Sequence, residues 1–263
     1  MQQQNTLSDD LNSAILAVQK ASLLIRTKYS DDLIIHEKRD SSLITEADAQ
    51  AEQCIIEHLK NHSSHAIISE ESGFLAGKTD STWIIDPIDG TTNFIRNLPW
   101  YSVSLALEKK GEMQIGVIQN LVDDALFFAE KNSGAYMNHH PLYVSDISKP
   151  ERSIICIEHG RSPKARSGIV ALQKRLNDKF DLRLMGSTAY EMTLVASGKA
   201  DAFIGCGDKI WDYAAGLCLI EAAGGILSDW QGHNLKGESD FILVSNAPLH
   251  PQLVSLIGEL QDE

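Results

Sequence analysis

The segment Trp83-Ile84-Ile85-Asp86-Pro87-Ile88-Asp89-Gly90-Thr91-Thr92-Asn93-Phe94 constrains this chain more than any other. An apolar strand runs directly into two carboxylates three apart, clamped by a proline, and then into Gly-Thr-Thr. A hard cation wants anionic oxygens fixed at short range, and a phosphate wants backbone N–H groups with no side chain in the way. Both demands are met within one turn.

Around this segment the hydrophobic pattern predicts a helix-first fold. Leu11, Ile15, Val18 and Leu24 or Ile25 recur near helical spacing over 7–29. A second helix follows Thr45, which reads with Asp48 as a capping box and leads into Cys54, Ile55, Ile56 and Leu59. Short apolar runs at 66–69 and 83–86 each end in acid, and 102–107, 113–119 and 125–129 read as a meander with turns at Lys110-Gly111 and Asp123-Asp124. Two helices thus precede any firm strand, and they pack on a mainly antiparallel sheet. After Pro150 strand-like and helical stretches alternate to the end, an α/β rhythm. The expected division is an N-terminal α+β part over 1–145 and a C-terminal α/β part over 146–263.

Composition narrows the chemistry. The 263 residues carry a net charge of −13, which disfavours nucleic acid and anionic membrane as partners. An acidic chain that handles phosphate is expected to carry metal. The four cysteines, Cys54, Cys156, Cys206 and Cys218, show neither zinc-ligand spacing nor a disulfide framework, and read as reduced, mostly buried thiols. No secretory signal or membrane-length apolar run is legible, so the expected compartment is the cytoplasm.

Three acidic clusters fall where strands end or helices begin: Glu70-Glu71 after Ile67-Ile68, Asp86 and Asp89 after Ile84-Ile85, and Asp212 after Trp211. Such positions point side chains and N–H groups into the crevices where α/β folds keep their sites. With Ser69-Glu70-Glu71-Ser72 upstream and Trp211-Asp212-Tyr213-Ala214-Ala215-Gly216 downstream, the central segment resembles the inositol monophosphatase family of Mg²⁺-dependent, lithium-sensitive phosphomonoesterases. The likeness runs from Lys38 and Thr45-Glu46-Ala47-Asp48 to Glu221-Ala222-Ala223-Gly224-Gly225. It implies a layered αβαβα sandwich, of the inositol monophosphatase and fructose bisphosphatase type, assembled as a homodimer.

By the resemblance, one Mg²⁺ would be held by Glu70, Asp86 and the Ile88 carbonyl, and a second by Asp86, Asp89 and Asp212, with two or three ions per subunit. Carboxylates and a carbonyl suit Mg²⁺, and the lack of His and Cys in the motifs argues against zinc. One metal would activate a water, which Glu70, Thr91 and Asp48 orient, and the other would neutralise charge on the leaving oxygen. Gly90 and Thr91 would offer N–H groups to the phosphate, with Gly90 sparing a Cβ clash with the ligand. Gly186, Ser187 and Thr188 would line the substrate pocket, Ser187 as a helix N-cap, and Lys38 matches a family lysine near the metals.

The chain departs from the family in the substrate pocket. A family Glu or Asp that holds substrate hydroxyls lies seven residues before the last metal Asp, and here that residue is Gly205; Asp208 is the candidate replacement. Arg161, in a substrate-side loop, would suit a second anion. The expected function is therefore hydrolysis of a small phosphate ester, with an inositol monophosphate first. Phosphoadenosine phosphate, a sugar bisphosphate such as fructose bisphosphate, and histidinol phosphate stay open, and a non-catalytic dimeric binding protein is the alternative from another class.

Other candidates read as structural. Gly73-Phe74-Leu75-Ala76-Gly77-Lys78-Thr79 is one residue short of a P-loop and reads as a surface turn. His62, His65, His139 and His140 read as exposed loop histidines, and Trp83 and Trp211 as packing residues that stiffen the site.

Overall fold

The computed structural model describes residues 7–28, 34–37, 43–160, 162–235 and 237–258 of the chain. Helices α1 (Asp9–Lys28) and α2 (Glu46–His62) pair with one another, and between them lies a ribbon of β1 (Ile35–Glu37) and β2 (Leu43–Thr45). The ribbon corrects the expectation that no strand precedes the second helix; strands of three residues are too short for a period-2 pattern to show. Helix α2 starts as expected. The Thr45 N–H donates to Asp48 Oδ2 at 2.8 Å and Thr45 Oγ1 accepts from the Asp48 N–H at 3.4 Å.

The first sheet contains β3 (Ala66–Ser69), β4 (Gly73–Leu75), β5 (Ser81–Asp89), β6 (Ser102–Lys109), β7 (Glu112–Asn120), β8 (Leu126–Glu130), β9 (Gly134–Met137) and β10 (His140–Pro141). Their order is β10-β9-β8-β7-β6-β5-β3-β4, antiparallel except for the β3 and β5 pair. The expected turn at 73–79 thus begins as an edge strand, with Phe74 opposite Ile68. The short helix α3 (Thr91–Arg96) joins β5 to β6.

The second sheet contains β11 (Ile154–His159), β12 (Asp181–Arg183), β13 (Ala202–Cys206), β14 (Ile226–Ser228) and β15 (Phe241–Ser245), in the order β12-β11-β13-β15-β14. Helices α4 (Pro163–Leu176), α5 (Thr188–Ala196), α6 (Ile210–Ala222) and α7 (His250–Gly258) connect and cover it.

Side-chain alternation on β5 explains the layering. Trp83 and Ile85 join Leu11, Val18 and Ile55 of α1 and α2 in one core, with Val103 and Leu105 of β6. Ile84, on the opposite face, joins Met192 of α5, Tyr213 of α6 and Phe203 of β13 in a second core. A third core sets Ile155 and Ile157 against Ile169 of α4 and Leu253 of α7. The layers run α1 and α2, first sheet, α5 and α6, second sheet, α4 and α7: the αβαβα sandwich that the resemblance implies. Because β5 is covered on both faces it reads as a continuous apolar run, and each fully buried large side chain contributes about 1.5–3 kcal/mol.

Candidate active site

In a regular strand, residues three apart point to opposite faces. Asp86 and Asp89 escape that rule because β5 is bulged: Asp86 pairs with Ser104 and Asp89 with Ser102, so Pro87 and Ile88 together oppose Val103 alone. Pro87 has no N–H to give the ladder, and the extra residue re-aims the strand end. Both aspartates therefore turn to one side. There Asp212 meets them from the first turn of α6, and the three carboxylates bring oxygens within 4.8 Å of one another.

Each aspartate is fixed from behind. Asp86 Oδ1 accepts from the Ile88 N–H at 3.1 Å, and Asp212 Oδ2 accepts from the Lys209 N–H at 2.7 Å. Asp89 Oδ2 accepts from the Ala189 N–H at 2.9 Å and from the Ser187 hydroxyl, which ties β5 to the start of α5. Ser187 is thus the residue that precedes α5 but not its side-chain cap: its hydroxyl donates to Asp89, a partner almost a hundred positions away in sequence.

The trio floors a cleft of about 620 Å³, whose walls include Glu70, Ile88, Gly90, Thr91, Gly186 and Thr188. Glu70 follows β3, its N–H bonded to the Ile85 carbonyl at 3.3 Å. Thr91 Oγ1 lies 3.0 Å from the Ile88 carbonyl and 3.3 Å from Asp48 Oδ1, so one hydroxyl proton serves two acceptors. Gly90 sits at φ 85°, and a Cβ there would come within 2.8 Å of the Trp100 carbonyl. The glycine is required by the fold of this turn, not by the room it leaves a ligand.

Crowding of acids away from water dominates the electrostatics. Burial pushes the Asp48 carboxyl up to about 6 and, against the Ser187 and Ala189 hydrogen bonds, Asp89 up to about 7. Asp86 and Asp212 are driven well above the carboxylate range, first by burial, then by Glu70 and Asp208 respectively. Such a constellation holds protons or cations. Three carboxylates converge, those of Asp86, Asp89 and Asp212, in a cleft that Glu70 and Ile88 also line, and this all-oxygen trio fits a hard divalent cation.

The model of the inositol monophosphatase family matches residues 7–262. The chain belongs to the inositol monophosphatase family. Nus factor SuhB of Escherichia coli is 35% identical over 259 residues, covering 96% of this chain and 97% of that protein. Inositol-1-monophosphatase of Mesorhizobium japonicum is 31% identical over 253 residues, 94% and 95% of the two chains. The solved structure of SuhB from Bartonella henselae superposes with a TM-score of 0.90 at 30% identity, over 95% of this chain and 98% of that one. A Thermotoga maritima IMPase gives 0.89 at 28% identity, over 97% and 99%. Members of the inositol monophosphatase family are metal-dependent, which agrees with the acidic trio, and membership supports phosphatase activity.

Other expected residues fall less simply. Lys38 and Arg161 lie outside the described residues. Gly205 is buried on β13 and does not reach the cleft wall: a Cβ there would come within 2.5 Å of Asp208 Oδ2, and it is Asp208 that lines the cleft. Trp83 is a core residue whose indole N–H donates to Ser63 Oγ at 3.1 Å, whereas Trp211 is half-buried and lines the cleft. His139 and His140 are exposed as expected, but His65 is largely enclosed, its Nδ1 2.7 Å from Thr79 Oγ1.

Four buried supports escaped the sequence reading. Glu52 of α2 accepts from the Glu71 and Ser72 N–H groups, both at 3.1 Å, and from the Ser69 and Ser72 hydroxyls, so it carries the turn on which Glu70 stands. Asn93 Nδ2 donates to the Trp100 and Met185 carbonyls at 2.8 and 2.7 Å. Glu191 accepts from the Met185 N–H at 2.5 Å, and Glu158 lines the cleft. One signal was available: Glu52 follows Asp48 by four residues, so both lie on the same face of α2.

Proposed function

We propose that this chain is a Mg²⁺-dependent phosphomonoesterase that hydrolyses a small phosphate ester, with an inositol monophosphate as the reference substrate. The observation that carries the reading is the convergence of Asp86, Asp89 and Asp212 within 4.8 Å in a cleft shared with Glu70 and the Ile88 carbonyl. Glu70, Asp86 and the Ile88 carbonyl are one proposed ligand set, and Asp86, Asp89 and Asp212 the other. When bound, the cations supply charge neutralisation at the phosphoryl group and the leaving oxygen, and activate water.

The protein's own groups do the rest. The first turn of α3 has N–H groups without intrahelical acceptors, and Gly90 and Thr91 turn this end toward the cleft to receive phosphate oxygens. The Thr91 hydroxyl accepts a hydrogen bond from the attacking water and points its own proton at Asp48, a carboxyl raised by burial to about 6 and so still able to accept a hydrogen bond at neutral pH. Water oxygen bonds to phosphorus as the ester bond to the alcohol breaks, with no covalent enzyme intermediate. Gly186 and Thr188 flank the leaving alcohol.

The test is phosphate release from a panel of small phosphate esters in Mg²⁺, with Asp89→Asn beside the wild type. The reading predicts turnover by the wild type and loss of at least two orders of magnitude in the variant, in line with losing a transition-state interaction. A non-catalytic binding protein would release phosphate from no ester, and Asp89→Asn would leave its behaviour unchanged.

A further inference from the structure

Strands β11 and β13 run parallel, and their register sets Glu158 directly beside Gly205. Neighbouring strands lie about 4.8 Å apart and paired residues share a face, so Glu158 occupies the side that a residue at 205 would use. Asp208 takes the space that Gly205 leaves, since a Cβ at 205 would come within 2.5 Å of its Oδ2. Two acids thus converge where one side chain is missing.

Glu158 and Asp208 both line the cleft, and each is more than nine-tenths buried, at 8% and 6% exposure. Among the described residues, Glu158 Oε2 and Asp208 Oδ2 have no partner at good hydrogen-bond geometry, while Glu158 Oε1 accepts from the His159 N–H at 2.9 Å and the Gly186 N–H also acts on the Glu158 carboxyl. A buried carboxylate oxygen without a donor carries an uncompensated desolvation cost, which a water, an ion or a ligand group can relieve, and these two oxygens belong to side chains that line the cleft.

Charge selects the kind of donor. In the proposed reaction two divalent cations match Glu70, Asp86, Asp89 and Asp212, while no metal is matched to Glu158 and Asp208, whose neighbours include the cleft-lining His159. Of the described residues that line the cleft, the arginine and the lysine, Arg166 and Lys209, are both exposed at the rim, and Lys209 Nζ lies 4.0 Å from Glu238 Oε1. A hydroxyl would satisfy an oxygen but leave the charge. An ammonium group has three donors, satisfies both orphan oxygens and cancels charge in the same step.

We propose that Glu158 and Asp208 form a receptor for a protonated amine on the leaving-group side of the cleft, so that the substrate class is the phosphate monoester of an amino alcohol. This rests on the phosphatase reading. The test compares kcat/KM in Mg²⁺ for aminoethyl, aminopropyl and aminobutyl phosphates with the hydroxyalkyl phosphates of the same lengths. The wild type should favour the amine by roughly tenfold or more at the best length, the scale of one charge-assisted contact. Asp208→Asn and Glu158→Gln should each lower that ratio severalfold, and the double variant should bring it near one. A wild-type ratio near one at every length overturns the inference without any variant, as does a preference that survives both substitutions in protein whose unfolding Mg²⁺ and inorganic phosphate still delay. Absence of phosphate release from every ester, inositol monophosphate included, overturns instead the phosphatase reading beneath it.

Discussion

Glu52 offers the most informative substitution outside the cleft. Its carboxylate, 5% exposed, is the common acceptor for the turn of Glu70, Glu71 and Ser72. Glu52→Ala strands two backbone N–H groups that cannot rotate away. The turn is partly open to water, so each costs about 1 kcal/mol, the low end for an unsatisfied donor. The lost side-chain packing and hydroxyl contacts add about 1 kcal/mol, for a total of about 3 kcal/mol. At about 2–4 °C per kcal/mol in a chain of this size, the melting temperature should fall by about 6–12 °C. Glu52→Gln keeps an acceptor where Oε1 now receives three of the four donors, and should cost about 1 kcal/mol or less. Thermal unfolding with and without Mg²⁺ measures both effects. The alanine variant should also need at least tenfold more Mg²⁺ to reach half of its stabilisation, because Glu70 loses its platform. Equal tolerance of alanine and glutamine, or an unmoved Mg²⁺ midpoint, would refute this role for Glu52.

Three further outcomes are expected. Metal-free protein should become more stable as pH falls from about 9 toward 6, because Asp208, Asp89 and Asp48 bind protons in the folded state up to about 8, 7 and 6 against an ordinary 3.8. Raised acids contribute stability at low pH that is lost as pH rises through the folded values, at about 1.4 kcal/mol per pH unit for each proton, and millimolar Mg²⁺ should flatten this slope in a pH series of melting curves. Gly90→Ala should cost about 1–3 kcal/mol in chemical denaturation and lower turnover, since φ 85° and the Trp100 carbonyl both oppose a Cβ; an unchanged midpoint would contradict this. Asn93→Ala should destabilise by about 1–3 kcal/mol by orphaning the Trp100 and Met185 carbonyls, and should raise KM more than it lowers kcat because Gly186 beside them loses its support.

Local patterns made much of this molecule readable in advance. The helical spacing of Leu11, Ile15 and Val18, the Thr45 and Asp48 box, and the apolar run at 83–85 each encode their element within a few residues. Features that depend on pairing were not readable. The bulge that brings Asp86 and Asp89 to one side needs Val103 of β6 opposite it, and Ser187 looks like a cap until Asp89 is seen to claim its hydroxyl. Glu158 carried no local signal at all; only the register of β11 on β13 sets it beside Gly205. Gly90 shows a subtler gap, since its backbone freedom was legible while the Trp100 carbonyl that forbids a side chain was not.

The carboxylate cluster is proposed as a metal-dependent catalyst of phosphate ester hydrolysis. Its most direct test is phosphate release by the purified chain in millimolar Mg²⁺, followed by chelation and then by restoration of the metal. Release that stops on chelation and returns with Mg²⁺ is the predicted result. Release that continues unchanged in excess chelator, or that never occurs with any ester in the panel, would contradict it.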